Sequence, residues 1–152
     1  MDSLTPQQFD ELIDRHFRYE AEDDVEGVLS TMVDDLTHEL VGAPSGVSRG
    51  KEEARRFYER LFADLAGEEI KTVKRLYGKN FVVDESIWKG KAVGAPLGIP
   101  GKGKPLTFRI LHIFEMADDG KIRQENVWID YAAIIRQLGS ASDLRIPLEE
   151  RP

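Results

Sequence analysis

From Glu69 to Ile129 the chain is built almost wholly of strand-length segments, and no other feature restricts its fold as much. Four of them stand out, Glu69–Tyr77, Asn80–Lys89, Lys104–Met116 and Lys121–Ile129. Gly78-Lys79 and Asp118-Asp119-Gly120 are tight turn sequences, so successive segments are expected to fold back on one another as antiparallel hairpins. The piece between Gly90 and Gly103 interrupts the series with five glycines and two prolines. It cannot be strand or helix throughout, and is read as a loop at the rim.

The first half has the other period. Phe9, Leu12, Ile13, His16 and Phe17 recur every three or four residues, which places them on one face of a helix over Pro6–Tyr19. Thr5 is its cap and Pro6 its first residue. A second helix is expected from about Val25 to Val33, capped by Asp23 or Asp24 and closed by Asp34-Asp35. Leu36–Val41 alternates and reads as the first strand, with His38 and Leu40 on one face. Gly42–Gly50 is expected as a loop, with Ser48 capping a third helix over roughly Lys51–Leu65. The apolar face of that helix, including Phe57, Tyr58, Leu61 and Phe62, is wide enough to cover a sheet. After Asp130 a short helical run reaches Gly139, and the remaining residues read as a tail.

These elements make one α+β domain over residues 1–152, with a core at about 5–139 and helices on one face of a sheet. The chain has no cysteine, which removes thiolate nucleophiles, disulfides and cysteine-held metals. Its histidines, His16, His38 and His112, lack ligand spacing, so no metal and no cofactor are expected. A net charge of -7 opposes binding to nucleic acid. No apolar run approaches the roughly 20 residues of a membrane span, and the first residues do not read as a signal peptide. A cytoplasmic setting is the default expectation.

The segment Pro96-Leu97-Gly98-Ile99-Pro100-Gly101-Lys102-Gly103-Lys104-Pro105-Leu106-Thr107-Phe108-Arg109 resembles the turn and strand of SnoaL-like polyketide cyclases. Asp119-Gly120-Lys121-Ile122, then Glu125 to Asp130, then Ile134 to Gly139, is similar to the final turn, strand and short helix of that family. The family lies within the nuclear transport factor 2-like superfamily, beside ketosteroid isomerases and limonene epoxide hydrolases. The resemblance implies a cone: a curved antiparallel or mixed sheet, three helices from the first half on its concave face, and a short C-terminal helix. It also implies an apolar pocket and, commonly, a homodimer. It does not imply one reaction, since this architecture hosts several.

The same resemblance sets the candidate catalytic residues as Asp130, His112 and His38. Asp130 resembles the cyclase general acid/base, although it also suits the cap of the helix that starts at Tyr131. His112 falls where ketosteroid isomerases keep a protonated Asp that bonds the substrate oxygen, and an imidazole can donate there too. His16 takes the place of the isomerase tyrosine and Leu40 that of its base, so the isomerase set is absent as such. His38, one step from Leu40 on the same face, is the replacement base. Asn126, Trp128 and Asp130 share one face of the last strand, and Glu125, Val127 and Ile129 share the other. The first of these faces is taken to line the pocket. Trp128, Asn126, His16, Leu40, Trp88, Phe114 and Tyr58 are therefore the expected ligand contacts.

The leading expectation is an enzyme that enolises or cyclises a hydrophobic carbonyl compound by acid–base chemistry. A non-catalytic binder of hydrophobic small molecules has the same signature. So does a dimerisation module that pairs through Thr107, Arg109, Leu111 and Ile113. An epoxide hydrolase would need an Asp–Arg–Asp set, and Arg109 is expected to point away from the pocket.

Overall fold

A computed structural model describes residues 4–139. Helix α1, Pro6–Ala21, starts at a complete capping box: Thr5 Oγ1 accepts from the Gln8 amide and Gln8 Oε1 accepts from the Thr5 amide. Helix α2, Val25–Ser30, is capped by Asp24 through the Gly27 amide. It ends three residues before the expected Val33, because the Thr31 hydroxyl and amide both turn back to Val28 O. Strand β1, Met32–Leu40, begins directly afterwards. Asp34-Asp35 thus lie within a strand, at a register shift between Met32 and Thr37, rather than at a helix end.

The Gly42–Gly50 segment, expected as a loop, contains a short strand β2, Val47–Arg49, paired with β1. Helix α3, Gly50–Asp64, has no side-chain cap, so Ser48 does not serve as one. Glu53 accepts the Arg49 amide instead. The chain passes from α3 straight into β3, Leu65–Tyr77, because Leu65 already has extended dihedrals. Strand β4, Phe81–Ala92, runs further than expected and confines the glycine-rich connection to a short 3-10 turn at Pro96–Gly98 and its flanks. Then come β5, Lys104–Met116, β6, Ile122–Ile129, and helix α4, Tyr131–Leu138. The expected tail over 140–152 lies outside the described residues.

Among the described residues the strands form one curved, unclosed sheet in the order β2-β1-β6-β5-β4-β3. All neighbours are antiparallel except β1 and β6, which run parallel because helices and strands intervene between them. Helices α1, α2 and α3 fill the concave side. Phe9, Ile13 and Phe17 of α1, Val28 and Leu29 of α2, and Ala54 and Tyr58 of α3 pack there against Leu36, Val82, Phe114 and Ile122 of the sheet. A second cluster joins Ile134 and Leu138 of α4 to Leu106 and Phe108 at the other end. The space between the two clusters is where the sheet curves away from the helices.

Curvature there depends on one local device. Gly67 and Gly90 face each other across β3 and β4, and the Trp88 ring lies over them. A Cβ on Gly90 would meet Ala66 O at 2.2 Å and the Trp88 ring at 2.6 Å.

Candidate active site

Strand alternation brings two rows of side chains onto the concave face. In one, Arg75, Asp84, His112, Val127 and Leu40 succeed one another across β3, β4, β5, β6 and β1. In the next, Tyr77, Val82, Phe114, Glu125 and His38 do the same. Polar groups are thus carried into an apolar interior by register alone.

These rows end at a cavity of about 100 Å³. Phe17 of α1, Phe57, Leu61 and Phe62 of α3, and Trp88 and Phe108 of the sheet supply most of its apolar wall. Trp88 and Phe108 stack, with centroids 5.0 Å apart. Five polar side chains that are buried or partly buried interrupt that wall: Glu20, His38, Tyr58, His112 and Glu125.

Glu125 is the centre of the first polar group. The Tyr58 hydroxyl donates to its Oε2 at 2.8 Å, and His16 Nε2 lies 3.4 Å from the same oxygen and 3.2 Å from Glu20 Oε1. On the other side of the His16 ring, Nδ1 is 2.8 Å from Thr31 Oγ1. The Thr31 hydroxyl donates to Val28 O, so its oxygen accepts, and His16 Nδ1 carries a proton. With Nδ1 protonated, only a second proton lets Nε2 face two carboxylates without repulsion. Burial alone would lower the His16 pKa. The charge and hydrogen bonding of Glu125 and Glu20 outweigh it and raise the value to about 10. Burial likewise pushes Glu125 up, but the His16 imidazolium beside it dominates and holds it at about 2. Burial and the adjacent Glu125 also push Tyr58 well above the usual phenol range, so its hydroxyl stays a donor. The ligand atoms of His16, Glu20 and Glu125 lie within 4.8 Å of one another, near enough to hold a metal ion. A proton on His16 accounts for the same arrangement.

The second group is His112 on Asp84. Their Nδ1 and Oδ1 atoms are 3.6 Å apart, just beyond hydrogen-bonding distance. Asp84 is fully buried and accepts from Ser86 Oγ at 2.6 Å and from Arg75 Nε at 2.8 Å; burial pushes its pKa up, but the adjacent His112, then Arg75 and Ser86, hold it below the ordinary carboxylate range. Arg75 also binds Asp10 and Asp14 at 2.9 and 2.7 Å. An Asp–Arg–Asp set therefore exists, but none of its members lines the cavity. Arg109 is exposed and pairs with Glu85 on the opposite face of the sheet.

His38 stands alone. It is 2% exposed, its ring is 4.2 Å from that of Phe57, and its Nδ1 has no partner among the described residues. Burial lowers its pKa below the ordinary imidazole value. A neutral imidazole with a free nitrogen is thereby presented to the cavity.

Of the expected site residues, His112, His38, Tyr58, Leu40 and Trp88 line the cavity. His16 sits behind Glu125 rather than on the wall, and Phe114 is deeper still, stacked on His112 within the core. Asn126 and Trp128 point the other way: Asn126 binds Gln124, and Trp128 is 37% exposed on the convex face. The face of β6 expected outside is the inner one, because Glu125, Val127 and Ile129 line the cavity. Asp130 accepts from the Ala133 amide at 2.9 Å as the cap of α4 and does not line the cavity. Glu125, Glu20 and Asp84 are the functional candidates that sequence reasoning overlooked. Glu125 had a signal, a carboxylate alternating with Val127 and Ile129, where an acid is costly unless paired.

A helix-backed, half-open curved sheet with polar groups at the floor of an apolar cavity defines the class, a nuclear transport factor 2-like cone. Residues 7–138 match the profile of the SnoaL-like polyketide cyclases, and the chain belongs to that family. Among solved structures it is similar to TsrD from Streptomyces laurentii, at 21% identity over 90% of this chain and 98% of that one, TM-score 0.76. A SnoaL-like polyketide cyclase from Jannaschia sp. CCS1 superposes at TM-score 0.77, with 19% identity over 92% of this chain and 99% of that one. An LEH-like epoxide hydrolase from M. tuberculosis does so at 0.67, with 19% identity over 87% and 90%. At these identities the likeness shows the fold. No curated protein sequence matches.

Proposed function

We propose that this chain is an enzyme that moves a proton on a hydrophobic carbonyl compound, using side chains alone, in an isomerisation or ring closure. The observation that carries this reading is His112: a cavity-lining imidazole whose Nδ1 faces a buried, ionised Asp84. The charge of a carboxylate 3.6 Å away favours the proton on Nδ1, leaving the second nitrogen to take a proton from the carbon next to the carbonyl. His38, neutral and unpartnered, is the group to donate to the oxygen as negative charge develops there. Membership of a family named for cyclases supports the reaction type. Asp130 keeps only its capping role.

Proton exchange from solvent tests this without the natural substrate. A panel of cyclic enones and β-diketones is incubated in D2O and the α-deuterium is read by NMR. Wild type is expected to catalyse exchange on at least one member, and His112→Ala to lose it by about 10²–10⁴-fold. If His112→Ala exchanges as fast as wild type, His112 is not the base.

We also infer that the chain forms a homodimer through its convex face. Leu76, Phe81 and Trp128, 51%, 44% and 37% exposed, lie there with Leu111 and Ile113 among Arg109, Glu85 and Glu115. Such a patch on an isolated chain marks an interaction surface. Light scattering should give twice the mass of 17.2 kDa, and Trp128→Glu should return it to one.

A further inference from the structure

The charged side chains on the cavity wall are all of one sign. Its wall carries four carboxylates, Glu125, Glu20, Asp23 and Glu69, and among the described residues no lysine or arginine. Glu125 lies at the floor, Glu20 is partly exposed just above it, and Asp23 and Glu69 are exposed toward the mouth. One cation answers them, the His16 imidazolium behind Glu125. Glu125 alone would neutralise it, so Glu20, whose Oε1 reaches the same nitrogen, is a carboxylate in excess. His38 adds no charge, and its unpartnered Nδ1, buried at the wall, is ready to bond a ligand.

Aromatic rings reinforce the same preference. Phe17, Phe57, Tyr58 and Phe62 line the same cavity as the carboxylates, and aromatic surface is compatible with a neighbouring cation. An anionic ligand would meet four carboxylates with no lysine or arginine, among the described residues, on the wall. A neutral ligand would leave the excess of negative charge unanswered. A protonated amine fits both, since the neighbouring Glu20 and Glu125 carboxylates, besides facing the His16 imidazolium, keep lone pairs that can accept from an ammonium on the cavity side.

We propose that the cavity takes an apolar ligand bearing a protonated amine, with the ammonium on the cavity side of the Glu20 and Glu125 carboxylates and the apolar body along Trp88 and Phe108. This rests on the cavity being the ligand site of the proposed enzyme, and it adds the charge class of the substrate.

Matched probes of one shape and three charges test it: 2-phenylethylamine, 2-phenylethanol and 3-phenylpropanoate, titrated calorimetrically at pH 7 and low salt. The amine is expected to bind at least about tenfold more tightly than the alcohol, and the carboxylate more weakly than either. Glu20→Gln, at a partly exposed position and verified as folded by circular dichroism, should bring the amine to within about threefold of the alcohol without changing the alcohol. Glu69→Gln, at the mouth, should reduce the preference by a smaller factor. Equal binding of amine and alcohol, tighter binding of the carboxylate, a preference that survives Glu20→Gln, or no binding of any probe overturns the inference. The exchange assay run in parallel keeps the two readings apart. Exchange on neutral ketones without an amine preference sinks this inference alone, whereas an amine preference without exchange sinks only the enzymatic one.

Discussion

Two histidines on one sheet face illustrate how neighbours set what a residue can do. Neither His38 Nδ1 nor His112 Nδ1 is hydrogen-bonded among the described residues, but His112 alone has a buried acid 3.6 Å behind that nitrogen. Asp84 is therefore a positioning residue, and its effect should be separable from binding. Asp84→Asn removes the negative charge behind the ring and is expected to lower proton-exchange turnover by about 10–100-fold. The loss should fall on kcat, with KM changed little, because Asp84 does not line the cavity. A rise in KM with unchanged kcat would assign Asp84 to substrate binding instead. Asp130 should behave oppositely. Asp130→Ala removes the cap of α4 and is expected to cost about 1 kcal/mol in urea unfolding, with exchange activity retained. Loss of activity in a folded Asp130→Ala protein would return it to the catalytic set.

At the scale of elements, the site depends on where β3 and β4 bend under Trp88. Gly90→Ala forces its new methyl into Ala66 O and the Trp88 ring, and is expected to destabilise the fold by about 1–3 kcal/mol and to shift Trp88 fluorescence. Trp128→Phe removes the other tryptophan so that the signal is unambiguous. An Ala variant as stable as the parent would show that the bend tolerates a side chain. Elements were largely legible because each has a strong period or cap. Thr5 with Gln8, the α1 stripe and the span of β5 are local facts. Long-range pairing was not. Thr31, which looks helical in sequence, leaves the helix because Ile122 of β6 takes its carbonyl. Nothing local announces that β1 will run parallel to β6. The same applies to β6 itself: alternation divides Glu125, Val127 and Ile129 from Asn126 and Trp128, but not inside from outside. Taking the Asn126, Trp128 and Asp130 face as the inner one pointed the wrong way, because His16, remote from β6 in sequence, supplies the charge that lets Glu125 be buried. Such a pair exists only once the helices are laid on the sheet.

For the whole molecule, that pair ties stability to pH from both sides. The folded His16 value of about 10 lies above its ordinary 6.5, so its contribution is complete below 6.5 and fades as pH rises toward 10. The folded Glu125 value of about 2 lies below its ordinary 4.5, so its contribution is complete above 4.5 and fades as pH falls toward 2. Between 4.5 and 6.5 both are present in full, and the pair supports the fold most. His16→Gln removes the counter-charge and leaves Glu125 buried with only the Tyr58 hydroxyl as partner. Burial, which already pushes Glu125 upward, then prevails, and its folded pKa is expected to rise above 4.5. A group raised in the folded state stabilises when protonated, so the sign of this term reverses. Urea unfolding at a series of pH values should show wild type ahead of His16→Gln by a few kcal/mol between pH 5 and 6, on the order expected for breaking a buried pair. The gap should close as pH falls below about 4, where wild type loses the Glu125 term and the variant gains it. A gap that stays constant from pH 3 to pH 9 would mean that His16 and Glu125 are a neutral hydrogen-bonded pair, with no charge separated between them.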